Sequence, residues 1–342
     1  MSEGRPKATV LVTAAGAPGC PRLIRALRED GYAVVGTDAN PNSIAGRICD
    51  AFKVVPFGDD PAFIPRMREV TAELAADVIF PTSSSEIVAW ARARDDFPVP
   101  VIAGPFEGVE CASDKAATFR LAKELRVPHP QTVEVTDAEG LAAAARDLGY
   151  PQRRVVIKPS QAKGSRGMRV LTPSVSRREW LLNPRPGEHA PETLESVTDI
   201  LSEGPFPAYI VQEYLDGPEE TVDAICWRGE LLLPMTRTRD ALRAGLAMDF
   251  TLIDRPEFEA HSQTLAEALG SDYFLSVQFK GDRLMEINPR VSTIVYAPGI
   301  NPPALAAGLA LGTTQPEQIR ALRSRIPIGR RAIRYFDQVE YS

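Results

Sequence analysis

The chain has 342 residues, a formal net charge of −6, 44% hydrophobic and 25% charged residues, proportions that exclude wholesale disorder and predict two or three domains. The mild acidic excess argues against a nucleic-acid backbone as partner, because phosphate contacts need clustered Lys and Arg. No apolar run approaches the roughly 20 residues that span a bilayer, and the polar start of the chain lacks the anatomy of a signal peptide, so a cytoplasmic protein with no membrane partner is expected.

In chain order, residues 8–13 form a short β-branched strand and 14–21 a loop of small residues. Arg22, Leu23, Ile24, Ala26 and Leu27 then share one face of a helix, which Gly31 closes. Strands are predicted at 32–37, ending in Asp38, and at 53–56. A helix over 64–74, a strand at 78–80, a helix over 87–94 and a strand at 99–103 follow. Strands separated by helices of this length imply a parallel sheet covered on both faces. Next come a helix over 114–125 with Ser113 as N-cap, a proline-bounded connector at 127–130, a strand near 131–135, a helix over 137–148 and a strand at 154–158. A turn of small and basic residues, 161–167, leads to a strand at 168–171. The proline-rich stretch 173–207 carries helices near 177–182 and 191–202. From 208 onward strands dominate, at 209–214, 220–227, 230–234 and 273–279, interrupted by a helix over 257–269.

Four constellations carry chemistry together. The first is Val155-Val156-Ile157-Lys158-Pro159-Ser160 followed by Lys163-Gly164-Ser165-Arg166-Gly167. A strand ending in lysine, then a flexible turn with free N–H groups and cations, suits nucleotide phosphates or a basic surface hairpin. The spacing is not that of a P-loop. The second, Val211-Gln212-Glu213-Tyr214-Leu215-Asp216-Gly217-Pro218-Glu219, can offer backbone groups to an adenine edge and a carboxylate to ribose, or is an acidic hairpin.

The third runs from Val277-Gln278-Phe279 through a turn to Met285-Glu286-Ile287-Asn288-Pro289-Arg290. In an extended strand Glu286, Asn288 and Arg290 share one face, and Met285 and Ile287 the opposite, apolar one. Two oxygen ligands and a cation suit a magnesium–phosphate complex. Gln278 joins them only through an odd-length loop or a bulge, since a strict two-residue register sends it to the other face. The fourth is the cationic set Arg237, Arg239 and Arg243 with Gly245, either an anion pocket or a solvated face. The loop Pro81-Thr82-Ser83-Ser84-Ser85-Glu86, after a strand, is read equally as a substrate contact or a helix cap. Four cysteines and three histidines are scattered, with no metal or disulfide spacing and no Ser–His–Asp set.

Assembled, these residues resemble those of ATP-grasp enzymes. The similarity is closest to single-module carboxylate–amine ligases related to the carbamoyl-phosphate synthetase large subunit and the pyrrolysine-pathway ligase. It rests on the ordered set Asp114-Lys115, Ile157-Lys158-Pro159, Gly164-Ser165-Arg166-Gly167, Gln212-Glu213-Tyr214 and Glu286-Ile287-Asn288-Pro289-Arg290. The resemblance implies an ATP-grasp fold, α/β and α+β, in three parts. These are a Rossmann-like pre-ATP-grasp domain (1–108), a small subdomain with the lid turn and an insertion (109–207), and a C-terminal subdomain with the metal site (208–342).

It further implies ATP and Mg²⁺, or Mn²⁺, as cofactors. Lys115, Lys158, Ser165, Glu213, Tyr214, Leu215 and Glu219 would bind the nucleotide, and Gln278, Glu286 and Asn288 the metal. Arg290 and Lys158 would be catalytic, with Ser84, Glu86, Arg237 and Arg243 as substrate contacts. The implied reaction is attack of a carboxylate on the γ-phosphate, then displacement of phosphate from the acyl phosphate by an amine. The Gln278-to-Glu286 interval is shorter than the family's usual hairpin. The stretch 173–207 is longer than the family's, as if to shape the substrate pocket or form an oligomer such as a homodimer. One module without a glutaminase is less than a complete carbamoyl-phosphate synthetase. Two enzymatic alternatives are a kinase on the same fold and an NAD(P)-dependent oxidoreductase. The latter is suggested by Gly16-Ala17-Pro18-Gly19 and Asp38 but lacks Gly-x-Gly-x-x-Gly spacing. A nucleotide sensor without turnover is the third class.

Overall fold

The computed structural model describes residues 5–161, 167–173, 176–183, 191–243, 245–292, 295–335 and 337–341. The expectations for Lys163, Gly164, Ser165 and Arg166 lie outside the described residues.

The first lobe is built on β1 (Thr9–Val12), α1 (Cys20–Glu29), β2 (Ala33–Asp38), α2 (Ala45–Ile48), β3 (Phe52–Val54), α3 (Phe63–Glu73), β4 (Val78–Phe80) and α4 (Ile87–Ala93). Its strands form a parallel sheet in the order β3-β2-β1-β4, as apolar runs separated by helices require. The expected strand at 99–103 is reduced to a bridge between Val101 and Ile79. Helix α5 (Phe106–Ser113), missed in the sequence, runs into α6 (Lys115–Glu124). Ser113 is therefore the last residue of α5 and not a cap. The N-cap of α6 is Asp114, whose side chain accepts from Ala117 N–H. The expected division at 108/109 falls inside α5.

A second lobe follows with β5 (Thr132–Val135), α7 (Ala138–Asp147), β6 (Val155–Pro159), β7 (Arg169–Leu171), α8 (Arg177–Leu182), α9 (Leu194–Leu201) and β8 (Tyr209–Glu213). Its antiparallel sheet has the order β5-β8-β6-β7. The third lobe contains β9 (Glu219–Trp227), β10 (Glu230–Thr238), β11 (Ala241–Arg243), β12 (Leu246–Thr251), α10 (Pro256–Leu269), β13 (Tyr273–Lys280), β14 (Arg283–Asn288), α11 (Pro302–Ala310), α12 (Pro316–Arg320) and β15 (Arg331–Ile333). β10-β9-β13-β14 form one antiparallel sheet and β11-β12-β15 another. β10 continues four residues beyond Pro234, which pairs with Ala224. As an edge strand it tolerates a residue without an N–H.

The prolines acquire a use here. Pro21, Pro256, Pro302, Pro303 and Pro316 stand in the first turn of α1, α10, α11 and α12, where the missing donor has no partner to lose. Helix α11 was not foreseen, yet it lies between lobes. Its Ala304, Ala306, Ala307 and Leu309 share one apolar core with Leu23, Ile24, Val78, Phe80 and Phe274. The side chain of Asn301 donates to Ala26 O of α1 at 2.7 Å. Among the described residues, no helix is long and apolar enough to cross a membrane.

Candidate active site

Asp114 ties two elements together at the base of a cleft. Besides capping α6, its carboxylate accepts from Ser160 Oγ at 2.9 Å and from Gln161 Nε2 at 3.2 Å, and Lys115 N–H donates to Ser160 O at 3.0 Å. The start of α6 is thereby fastened to the end of β6, and Lys115 and Lys158 line the same cleft of about 2250 Å³. Lys158 also lies 6.0 Å from the Phe119 ring centre. Burial pulls its pKa down to about 8; Glu286 opposes the drop and Lys115 adds to it. Burial lowers Lys115 as well, against the pull of Glu286 and Asp114.

The opposite wall is the β13–β14 hairpin. Lys280 pairs with Arg283 across a two-residue turn, and Gly281 adopts φ 62° there, a conformation that favours glycine. A bulge between Gln278 and Phe279 restores the register that puts Gln278 opposite Glu286. The bulge of the sequence expectation is therefore present. It also changes Met285, expected on the apolar face: the extra residue of β14 lines the cleft, while Leu284 and Ile287 are buried. Gln278, Glu286 and Asn288 all line the cleft.

Glu286 is the carboxylate that most raises the pKa of Lys115, Lys158 and Arg290 against the lowering by burial, whereas Arg239 responds first to Glu219 and only then to Asp223 and Glu286. Lys115, Lys158, Arg239, Lys280 and Arg290 outnumber Glu219 and Glu286 in this part of the cleft, an excess of positive charge that favours a polyanion. One carboxylate flanked by two amide oxygens also fits a hard cation that takes its remaining ligands from phosphate and water. Among the described residues, no group of three or more His, Cys, Asp or Glu side chains could hold a metal without such help.

The strand end at β8 forms a third side. Glu213, Tyr214, Leu215 and Glu219 line the cleft. The Glu213 carboxylate is ion-paired to Arg283 and accepts from Gln131 N–H at 2.9 Å. Arg154 stacks over Tyr214, 3.8 Å from the ring centre. Glu219 sits between Lys280 at 3.2 Å and Arg239 at 3.4 Å. Lys280 and Arg154, both of which line the cleft, were not singled out from sequence; Lys280 ends β13 at the turn, and Arg154 follows the loop that leads into β6.

The loop after β4 supplies the link between lobes. Arg290 Nε donates to Ser84 Oγ at 2.7 Å and Nη1 to Val291 O at 2.7 Å. Both Arg290 and Ser84 line the cleft. Glu86, expected as a substrate contact, is instead 3% exposed and closes its own loop. It accepts from Thr13 Oγ1 at 2.7 Å, Thr82 N–H at 3.2 Å and Ser83 N–H at 3.3 Å. Two further expectations are corrected. Arg237 is 0% exposed and donates to Asp223 at 2.7 Å, so it lies beneath the cleft surface. Arg243 is exposed on β11, outside the cleft lining. Of that cationic set Arg239 lines the cleft, because it follows the end of β10 and turns toward Glu219.

Two family models match the chain. "ATP-grasp in the biosynthetic pathway with Ter operon" covers residues 205–329, and "carbamoyl-phosphate synthase L chain, ATP binding domain" covers residues 114–181. Both are ATP-grasp models, and they place residues 114–181 and 205–329 in the ATP-grasp family. The carbamoyl phosphate synthase large chain of Gemmatimonas aurantiaca is 24% identical over 92% of this chain, which spans only 29% of that protein's length. The ATP-grasp fold is shared with solved structures. The L-amino acid ligase from Bacillus licheniformis has a TM-score of 0.67 at 14% identity, covering 96% of this chain and 79% of that one. The biotin carboxylase domain of Hydrogenobacter thermophilus 2-oxoglutarate carboxylase has 0.67 at 18% identity, covering 91% and 71%.

Proposed function

We propose that this ATP-grasp protein is an ATP- and Mg²⁺-dependent ligase that joins a small carboxylic acid to an amine through an acyl phosphate, releasing ADP and phosphate. The observation that carries this is the gathering of Lys115, Lys158 and Arg290 around Glu286, with Arg239 paired to Glu219 in the same cleft, Gln278 opposite Glu286 and Asn288 on the same strand. In this reading Lys115 and Lys158 hold the triphosphate from the side of α6 and β6. The strand end at Glu213–Leu215 meets the base, and Glu219 the ribose. Glu286, Gln278 and Asn288 would hold Mg²⁺, which would neutralise phosphate charge.

Arg290, oriented by Ser84, faces the phosphoryl group in flight. The carboxylate oxygen attacks the γ-phosphorus and ADP leaves. The amine nitrogen then attacks the acyl carbon, loses a proton and expels phosphate. Little covalent chemistry is asked of the side chains, since positioning and charge neutralisation supply most of the rate. The relatives named above, an amino acid ligase and a carboxylase domain among them, support carboxylate activation in general.

An ADP-release screen over small acids and amines tests the reaction. Acids labelled with ¹⁸O in the carboxylate should pass label into phosphate; ADP formation without transfer would indicate a hydroxyl kinase instead. No ADP with any acid mixture would leave a nucleotide-binding protein without turnover.

A further inference from the structure

A second group of cations lines the cleft, and the chemistry above leaves it without a role. The Arg22 guanidinium lies 4.2 Å from the centre of the Tyr296 ring. Tyr296 Oη is buried and has no hydrogen-bond partner among the described residues. Burial raises its pKa, against the pull of Arg22 and Arg334. Arg334 donates through Nε to Ala247 O at 2.8 Å and stands 5.2 Å from the Phe250 ring centre. Burial lowers its pKa to about 10; nearby Arg237 pushes the same way, and Asp223 and Tyr296 oppose. Arg22, Tyr296, Phe250 and Arg334 all line the cleft.

The nearby carboxylates are largely committed. Asp38 accepts from Gly16 N–H at 2.7 Å and Asn40 N–H at 2.9 Å. Glu29 pairs with Arg22 at 3.1 Å on the solvent side, with more than half of its side chain exposed. Asp337 accepts from Gln338 N–H at 2.9 Å. Beneath, Arg237 Nη1 and Nη2 have no partner among the described residues. A desolvated hydroxyl donor between guanidinium groups is the arrangement that an oxyanion satisfies.

We infer that the acid substrate carries a second anionic group, a carboxylate or a phosphate, which docks between Arg22, Tyr296 and Arg334. The inference rests on the proposed ligase reaction for the role of the first carboxylate, and the second anion is recognised by Tyr296 O–H and the two guanidinium groups. A dianionic acid then spans the cleft, one end exposed to phosphoryl transfer and the other anchored.

The test is calorimetric titration of the full chain with Mg²⁺ and a non-hydrolysable ATP analogue. The ligands are succinate, glutarate and adipate, the phosphorylated acid 3-phosphopropionate, and butyrate and valerate as monoanions. At least one dianion should bind about tenfold or more tightly than either monoanion, as charge-assisted hydrogen bonds predict. Whether the dicarboxylates or 3-phosphopropionate lead identifies the second group. Arg334→Gln and Tyr296→Phe should each weaken that dianion about tenfold and leave the monoanions unchanged; Tyr296→Phe removes one oxygen and keeps the test informative if Arg334→Gln does not fold. Absence of dianion binding, equal binding of monoanions, or insensitivity to both variants would overturn the inference. ADP release from the same acids reads the ligase reaction separately. Selective dianion binding without ADP release would uphold the anion site and reject the ligase, and ADP release from monoanions alone would do the reverse.

Discussion

The hairpin end of the cleft and the end lined by α1 and β15 both concentrate positive charge, but they assemble it differently. At the hairpin end, Lys115, Lys158 and Arg290 answer first to one carboxylate, Glu286, and Arg239 to Glu219; Glu286 stands on a hairpin whose register is locked by β9 on the far side of β13. At the other end, Arg22, Tyr296 and Arg334 come from α1, a connection and the exit of β15, with no shared carboxylate at their centre. The first arrangement suits a ligand that brings its own cation. The second suits a bare anion. Arg290 and Ser84 join the two, since their hydrogen bond crosses from the third lobe to the first.

Glu286→Ala should break the hairpin end most severely. About a thousandfold loss of ADP release is expected, with the thermal transition nearly unchanged because the side chain faces the cleft. Retained turnover would remove Glu286 from the metal site. Arg237→Ala separates a cation beneath the cleft from those lining it. Removing one partner of the buried pair with Asp223 should cost about 3 kcal/mol in denaturant unfolding, whereas a loss below about 1 kcal/mol would return Arg237 to the cleft.

The pH dependence sharpens the comparison further. Burial holds Lys158 at about 8 in the ligand-free protein, so its proton is lost as pH rises through that value. With Lys158 as the phosphate contact proposed above, ATP affinity should then fall up to about tenfold per pH unit above 8. An ATP titration series on Lys158→Arg should show no such decline. Stability moves in the opposite sense. The unfolded lysine keeps its proton to about pH 10.4, so between roughly pH 8 and 10 the unfolded chain binds more protons and the contribution of Lys158 to stability increases with pH. The smallest effect belongs to Ser84→Ala. Losing one hydrogen bond to Arg290 should lower kcat about fivefold with KM for ATP unchanged, and Ser84→Thr should restore it. A change in KM for the acid alone would make Ser84 a substrate contact instead of a positioning residue.

Much of the hairpin end was legible because strands alternate. Glu286 and Asn288 two residues apart must share a face, and Lys158 at a strand end must meet the turn that follows. Gln278 was only conditionally legible: two registers were open, and the bulge that excludes one is seen only when β13 is already paired with β9. Glu86 shows the opposite failure. As the carboxylate that ends a loop of serines it had two roles of equal standing, and burial against Thr13 decided for the structural one. Arg237 and Arg239 have the same spacing as Glu286 and Asn288, yet one is buried beside Asp223 and the other lines the cleft, because the strand ends between them. Helix α11 escaped notice because its alanines and prolines carry no amphipathic stripe: it is packed on nearly every side.

By itself, the sequence determined the alternation of strands and helices, the ordered set of cations and carboxylates, and with them the family. These depend on local periodicity and on spacing within one or two elements. The tertiary structure alone decided which arginines reach the cleft, which carboxylate is held inside the first lobe, and that Arg22, Tyr296 and Arg334 meet at all. Those outcomes depend on how three lobes pack and on what each burial leaves without a partner, and no spacing along the chain encodes that.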